Sequence, residues 1–223
     1  MSRFAQRVAA EFVGTGFLLT VIVGSGIMGQ RLSAGNAALA LLANSIATGA
    51  GLYALIATLA PISAHLNPAV TAFAVWRRHL DMKLALVYGL SQFGGAIVGV
   101  FAAHAMFGEA LVQVSTRART GWALAFAEFV ATLGLLAVVS LTPRRQVAAA
   151  VAAYITAAYW FTASTSFANP AVTVARALTG SFAGIAWPAV PGFIGSQLVA
   201  VLVVGLASSI AKRFNVDRGH GTP

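Results

Sequence analysis

Asn67-Pro68-Ala69-Val70-Thr71 and Asn169-Pro170-Ala171-Val172-Thr173 are the same five residues, written twice in a chain of 223. Asn favours the N-cap of a helix, because its side-chain oxygen accepts an orphan backbone N–H. Pro suits the first helical position, where its missing N–H costs nothing and its φ is already set. Each copy therefore predicts a helix start. Breaks follow at Arg77-Arg78 in the first copy and at Thr179-Gly180 in the second. A helix of roughly ten residues reaches about 15 Å, half of a hydrocarbon core about 30 Å thick. These helices are too short to cross a bilayer.

The composition demands a bilayer. Hydrophobic residues are 59% of the chain and charged residues 9%, with a mean hydropathy of +0.84. Soluble domains carry about 25% charged residues, so this chain cannot cover a globular surface with solvated side chains. A soluble enzyme, a disordered chain and a coiled coil are excluded. Six segments approach the roughly 20 apolar residues that a span needs: 8–28, 36–60, 84–106, 122–141, 147–164 and 190–210. The first is too long for a signal peptide and contains Glu11, so it is a span. Trp76, Trp122 and Trp187 fall near span ends, where interfacial anchors sit.

The breaks carry the charge. Arg3, Arg7, Arg77, Arg78, Lys83, Arg144, Arg145, Lys212, Arg213 and Arg218 fall on one side of six crossings, against Arg31, Arg117 and Arg119 on the other. Ten against three places both termini in the cytoplasm by the positive-inside rule. The net charge of +9 is then a set of membrane-flanking anchors, and no basic run is long enough to grip nucleic acid. With no cysteine, disulfides and thiolate metal sites are impossible.

Repetition extends beyond the opening motif. Ala10-Glu11-Phe12-Val13 in the first span is matched by Ala127-Glu128-Phe129-Val130 in the fourth. Each half holds three spans, so the second enters the membrane upside down, as an inverted repeat. The expected fold is an all-α membrane protein of six transmembrane helices plus two re-entrant half-helices, 67–76 and 169–179. The first repeat covers 1–116 and the second 117–214, in one structural domain, with a short polar, disordered tail at 215–223. Two half-helices entering from opposite faces meet by their N-termini near the midplane. Their non-helical approaches, 61–66 and 165–168, must line water or be buried in protein.

The doubled Asn-Pro-Ala-Val, the doubled Ala-Glu-Phe and the lead-in Ser63-Ala64-His65-Leu66 resemble the aquaporin and aquaglyceroporin (major intrinsic protein) family over residues 5–212. The resemblance implies one pore per protomer, a homotetramer in the plasma membrane, and passive conduction of water or small uncharged solutes without a cofactor or metal. It implies that Asn67, Pro68, Ala69, Asn169, Pro170 and Ala171 frame the pore, and that the two asparagine amides meet the permeant. Facing half-helix N-termini, each worth about +0.5 charge, would exclude protons and cations. Glu11 and Glu128 would accept hydrogen bonds from the approach segments, with His65 as a structural histidine.

The chain departs from the family where selectivity is set. Most members follow the second Asn-Pro-Ala with Arg; here Val172 stands there, and Arg176 lies one turn further on. Counting from Asn169 puts Ala157 and Ser166 in the filter, and the stretch Thr48-Gly49-Ala50-Gly51 puts Thr48 there. A filter of Thr48, Ala157, Ser166 and Val172 is uncharged and wide enough for glycerol, urea or neutral metalloid acids. This pattern resembles that of bacterial aquaglyceroporins associated with arsenic handling. Two alternatives remain open. Arg176, or an aromatic such as Phe161 or Phe167, narrows the mouth to water; or the chain is a coupled secondary transporter, which would place ionisable residues at the midplane. An enzyme would need a convergent nucleophile, base or metal cluster, which His65, His79, His104 and His220 do not supply. Segment 108–121 is the longest outer connection.

Without a thiol, low-micromolar mercuric ion should leave solute flux through the purified protein unchanged in stopped-flow assays. Strong block by that ion contradicts the expectation.

Overall fold

Helix ends lie where the local chemistry puts them. In the computed structural model, which describes the backbone of residues 1–219 and side chains to residue 211, Ser2 caps α1 (Arg3–Leu32) by accepting from the Ala5 N–H. Asn36 caps α2 (Ala37–Leu59), Asn67 caps α3 (Pro68–Trp76) and Asp81 caps α4 (Met82–Phe107). Gly108 ends α4 in the left-handed conformation, at φ 66°. The second half repeats the order: α5 (Trp122–Leu141), α6 (Val147–Phe161), α7 (Pro170–Ala175) and α8 (Val190–Gly219).

Five helices are long and apolar enough to cross a membrane unaided: α1, α2, α4, α5 and α8. The sixth crossing differs from expectation. α6 has 15 residues, about 22 Å of helix, and a 3-10 turn at Arg144–Gln146 lengthens its N-terminal end. It stops at Phe161 rather than 164, because Thr162 turns extended and its hydroxyl caps back onto the Ala158 carbonyl. The second half-helix is also shorter than 169–179. α7 tightens into a 3-10 turn at Arg176–Leu178. α8 continues helically to Gly219, past Asn215 where composition predicts a disordered tail. Residues 220–223 of that tail, His220 among them, and the side chains of Lys212, Arg213 and Arg218 lie outside the described residues.

The two halves pack alike. α1 lies against α2 and α4, and α5 lies against α6 and α8. Across the halves, α2 packs on α6, α3 on α8 and α7 on α4. One core runs between them, from Leu18, Ile22 and Leu52 to Ile155, Val172 and Phe193. Large apolar side chains such as Leu86, Leu90, Leu202 and Leu206 face outward, as a chain solvated by lipid allows.

The tightest crossing is α1 on α4. A Cβ at Gly95 would stand 2.1 Å from the Phe12 carbonyl oxygen, and one at Gly99 would stand 2.1 Å from that of Gly16. Both obstacles are backbone, so they cannot swing away. Gly89, on the same helix, has open space around it. Gly99→Ala should therefore lower the thermal midpoint in detergent, for an overpacking cost of roughly 1–3 kcal/mol. Gly89→Ala should not; equal midpoints for the two variants contradict the close crossing.

Candidate pore

Each re-entrant approach is irregular backbone at membrane depth, so its N–H groups need protein partners. Glu11 supplies them in the first half. Its Oε1 accepts from the Ser63 hydroxyl at 2.6 Å and the His65 N–H at 2.8 Å; its Oε2 accepts from the Leu66 N–H and the Gln92 amide, both at 2.7 Å. Glu128 does the same in the second half. It accepts from the Phe167 N–H at 2.8 Å, the Ala168 N–H at 2.9 Å and the Gln197 amide at 2.7 Å. Both oxygens of each acid take N–H donors, the pattern of an acceptor-only carboxylate. A charge at mid-span costs about 2.5–3.5 kcal/mol on insertion scales. Hydrogen bonds to a charged group return about 1.5–3 kcal/mol each, so three or four of them outweigh that cost.

The braces continue outward in matched pairs. Gln92 also donates to Thr71, and Gln197 to Thr173, each at 3.0 Å. His65 meets Tyr88 edge to face at 5.5 Å, and Phe167 meets Phe193 edge to face at 5.1 Å. The His65 ring also bonds Thr71 at 3.1 Å. Held this way, Leu66 and Ala168 adopt left-handed conformations, φ 52° and 47°, just ahead of the asparagines. Neither residue would choose that conformation on its own.

The two halves then exchange hydrogen bonds. Asn67 Nδ2 donates to the Ala168 carbonyl at 2.7 Å, and Asn169 Nδ2 donates to the Leu66 carbonyl at 2.8 Å. Their Oδ1 atoms cap α3 and α7, accepting from the Ala69 and Ala171 N–H groups. Pro68 and Pro170 open the two helices, and Ala69 and Ala171 are fully buried against the neighbouring elements. An amide carries two N–H donors, so each asparagine keeps one for whatever occupies the lumen.

That lumen is a cavity of about 1020 Å³. It opens at Arg7, Arg77, Arg144 and Arg145, passes Asn67 and Asn169, and ends among Thr48, Tyr159, Ser166, Phe167, Val172 and Arg176. Thr48, Ser166 and Val172, expected in the filter, lie on the cavity wall. Ala157 does not. It faces away from the lumen, and α6 lines it instead with Val151, Ile155 and Tyr159. Residues four apart share a helix face, and Ala157 is half a turn from both Ile155 and Tyr159. Counting back from Asn169 fixes a distance along the chain but not the phase of α6.

The far end is also charged, contrary to an uncharged filter. Arg176 is 1% exposed, donates through Nε to the Ala183 carbonyl, and lies 3.4 Å from the Phe167 ring centroid. Its Nη1 has no partner among the described residues, nor does the Ser166 hydroxyl. Thr48 and Tyr159 join their hydroxyls at 3.1 Å. Phe167 reaches the lumen, while Phe161 faces outward against Tyr154.

Sequence reasoning missed Arg119. Segment 108–121 folds over this end, bonding Ser115 N–H to the Ala177 carbonyl and taking the Ala186 N–H on the Arg117 carbonyl. Arg119 donates to the Gly184 carbonyl at 2.9 Å and the Ser164 carbonyl at 3.1 Å, and lies over the same Phe167 ring at 5.2 Å. Burial, then the nearby Arg176 and Arg117 charges, pull its pKa down to about 9, so it remains a cation at neutral pH. Nothing in the local sequence marks it. Gln92 and Gln197 were legible: Ser91-Gln92 and Ser196-Gln197 repeat in the third span of each half.

The sequence pattern of the major intrinsic protein family matches residues 1–146. The chain is 45% identical to the aquaglyceroporin AqpS of Rhizobium meliloti, over 88% of this chain and 86% of that protein. It is 29% identical to aquaporin-2 of Rattus norvegicus, over 97% of this chain and 85% of that one. The fold is similar to the X-ray structure of the aquaglyceroporin from Plasmodium falciparum, with a TM-score of 0.62 at 17% identity, covering 91% of this chain and 96% of the other. Doubled Asn-Pro-Ala caps, a carboxylate brace behind each and a lumen between them thus agree with these likenesses: the chain belongs to the major intrinsic protein family, and is a membrane channel for water and small solutes rather than an enzyme.

Proposed function

We propose that this channel passes glycerol-sized neutral solutes, including hydroxylated metalloid acids such as arsenous acid, as well as water. The observation that carries this reading is the mixed apolar and polar lining at the end of the cavity. Phe167, Ile155 and Val172 form an apolar wall. Arg176 Nη1, the Ser166 hydroxyl and the Thr48–Tyr159 hydroxyl pair offer a polar edge. A polyol combines a carbon chain with a row of hydroxyls, and selectivity follows from such lining groups. The name of the Rhizobium relative points to the same solute class.

Asn67 and Asn169 offer their free N–H groups to one permeant at a time. With the N-termini of α3 and α7 facing each other there, the midplane disfavours cations and protons. The protein would work as a homotetramer in the plasma membrane, with the arginine-rich face and both termini in the cytoplasm; the ten-to-three charge asymmetry supports that orientation. A coupled transporter needs a midplane acid free to bind its ion. Glu11 and Glu128 are instead occupied by backbone and glutamine donors.

Arg176 favours a second reading, a water-selective pore, because it reaches the lumen beside Tyr159 and Phe167. Proteoliposomes under an inward glycerol gradient separate the two. The glycerol channel gives shrinkage followed by fast, protein-dependent reswelling. Faster shrinkage without faster reswelling supports the water pore. Arg176→Ala should raise the ratio of glycerol to water permeability several-fold. An unchanged ratio would show that Arg176 does not set the width of that end.

A further inference from the structure

The opposite mouth of the cavity has a chemistry that a neutral solute does not use. Arg7, Arg77, Arg144 and Arg145 line it, with His79 beside them, and among the described residues no carboxylate lines the cavity. Among the described residues the one ion pair is Arg31–Glu109, which sits at the other end of α1. Among the described residues, the arginine side chains that hydrogen-bond are Arg31, Arg119 and Arg176. Among the described residues, then, the four guanidinium groups of the mouth have neither an ion-pair nor a hydrogen-bond partner. Arg77 Nε is buried in that state.

Positive-inside bias explains how many cations this face holds, but not where they point. Arg3, Arg78 and Lys83 serve that bias without lining the cavity. The four at the mouth come from three separate places: α1, the end of α3 and the turn before α6. Two are seated on aromatic rings, Arg7 over Tyr88 at 5.5 Å and Arg77 over Phe73 at 5.8 Å. Arg144 and Arg145 stand at the N-terminal end of α6, whose dipole adds positive potential. Rings of arginine mark anion sites in pores. A cleft lined by one sign of charge concentrates the opposite ion, and the planar guanidinium fork matches an oxyanion in two-point fashion.

We propose that this mouth binds a small tetrahedral oxyanion of the inorganic phosphate class, and that its occupancy slows solute flux. The four arginines line the lumen rather than a lipid-facing surface, so the ligand is a soluble anion. Bound there, it stands in the path between the mouth and the two asparagines. The slowing of flux rests on the channel function, whereas the binding itself does not, and the two are read separately.

Binding is measured as the thermal midpoint of the purified protein in a neutral detergent, against sodium phosphate at constant ionic strength with chloride as the balancing anion. The wild type should gain a saturable stabilisation that chloride does not give. The Arg144→Gln/Arg145→Gln variant should lose it, as should Arg77→Gln, which leaves the turn before α6 intact. Lys83→Gln removes the same charge outside the cavity and should keep it. A stabilisation equal in all four proteins, or equal with chloride, overturns the site. Flux is measured in phosphatidylcholine vesicles, whose headgroups carry no net charge. Saturating phosphate should reduce wild-type glycerol permeability by at least about half, and water permeability with it. Binding without any fall in either overturns the proposed effect on flux while leaving the site.

Discussion

A buried carboxylate in each half holds the rest of the pore in place. Non-helical backbone cannot stand at the middle of a membrane unless its polar groups are paired. Glu11 and Glu128 do this pairing from the helices behind, each gripping two successive N–H groups of an approach segment. That grip holds Leu66 and Ala168 in left-handed backbone. The turn brings each following asparagine to face the opposite half, and the carbonyl each asparagine bonds belongs to the residue so constrained. Braces, turns and caps are therefore one connected network, repeated in inverted orientation.

The symmetry holds at the centre and lapses toward the two ends, where function differs. His65 and Phe167 occupy matching places, each edge to face with an aromatic from the third span of its half. One is a polar ring at the side that opens to Arg7, Arg77, Arg144 and Arg145. The other is an apolar ring that carries Arg176 on it and has Arg119 close by. α3 runs nine residues, while α7 runs six and then tightens. Arg176, a turn later than the family's usual arginine, stands at the end of the cavity. There its Nε is tied to Ala183 while Nη1 is left for a permeant.

Much of this was legible because it is local or repeated. The Asn-Pro-Ala caps, the half-helices and the inverted order follow from N-cap chemistry, helix length and span counting. Glu11 and Glu128 stand out as acids in apolar spans, and the structure gives them the brace that the family resemblance implies. Thr48, Ser166 and Val172 line the lumen. Ala157 failed because helix phase is set by packing of α6 against α2, which sequence distance does not encode. Arg176, one turn beyond Val172, lines the end of the cavity because its long side chain lies on the Phe167 ring and is tied to the Ala183 carbonyl, a reach that sequence spacing does not encode. Arg119 was invisible for a different reason: its partners, Ser164 and Gly184, are distant carbonyls, and backbone acceptors leave no mark in a sequence.

The most direct measurement of the central claim is water permeability per protein molecule in vesicles for Glu11→Gln and Glu128→Gln. Glutamine keeps the size of the side chain but has one acceptor oxygen, and sets an N–H group against an N–H group. The account predicts that each variant remains a folded, monodisperse membrane protein and loses at least about tenfold in permeability, for a cost near 1.4 kcal/mol or more at the constriction. Wild-type permeability in either variant would contradict it, and would mean that the approach segments hold their shape without the carboxylates.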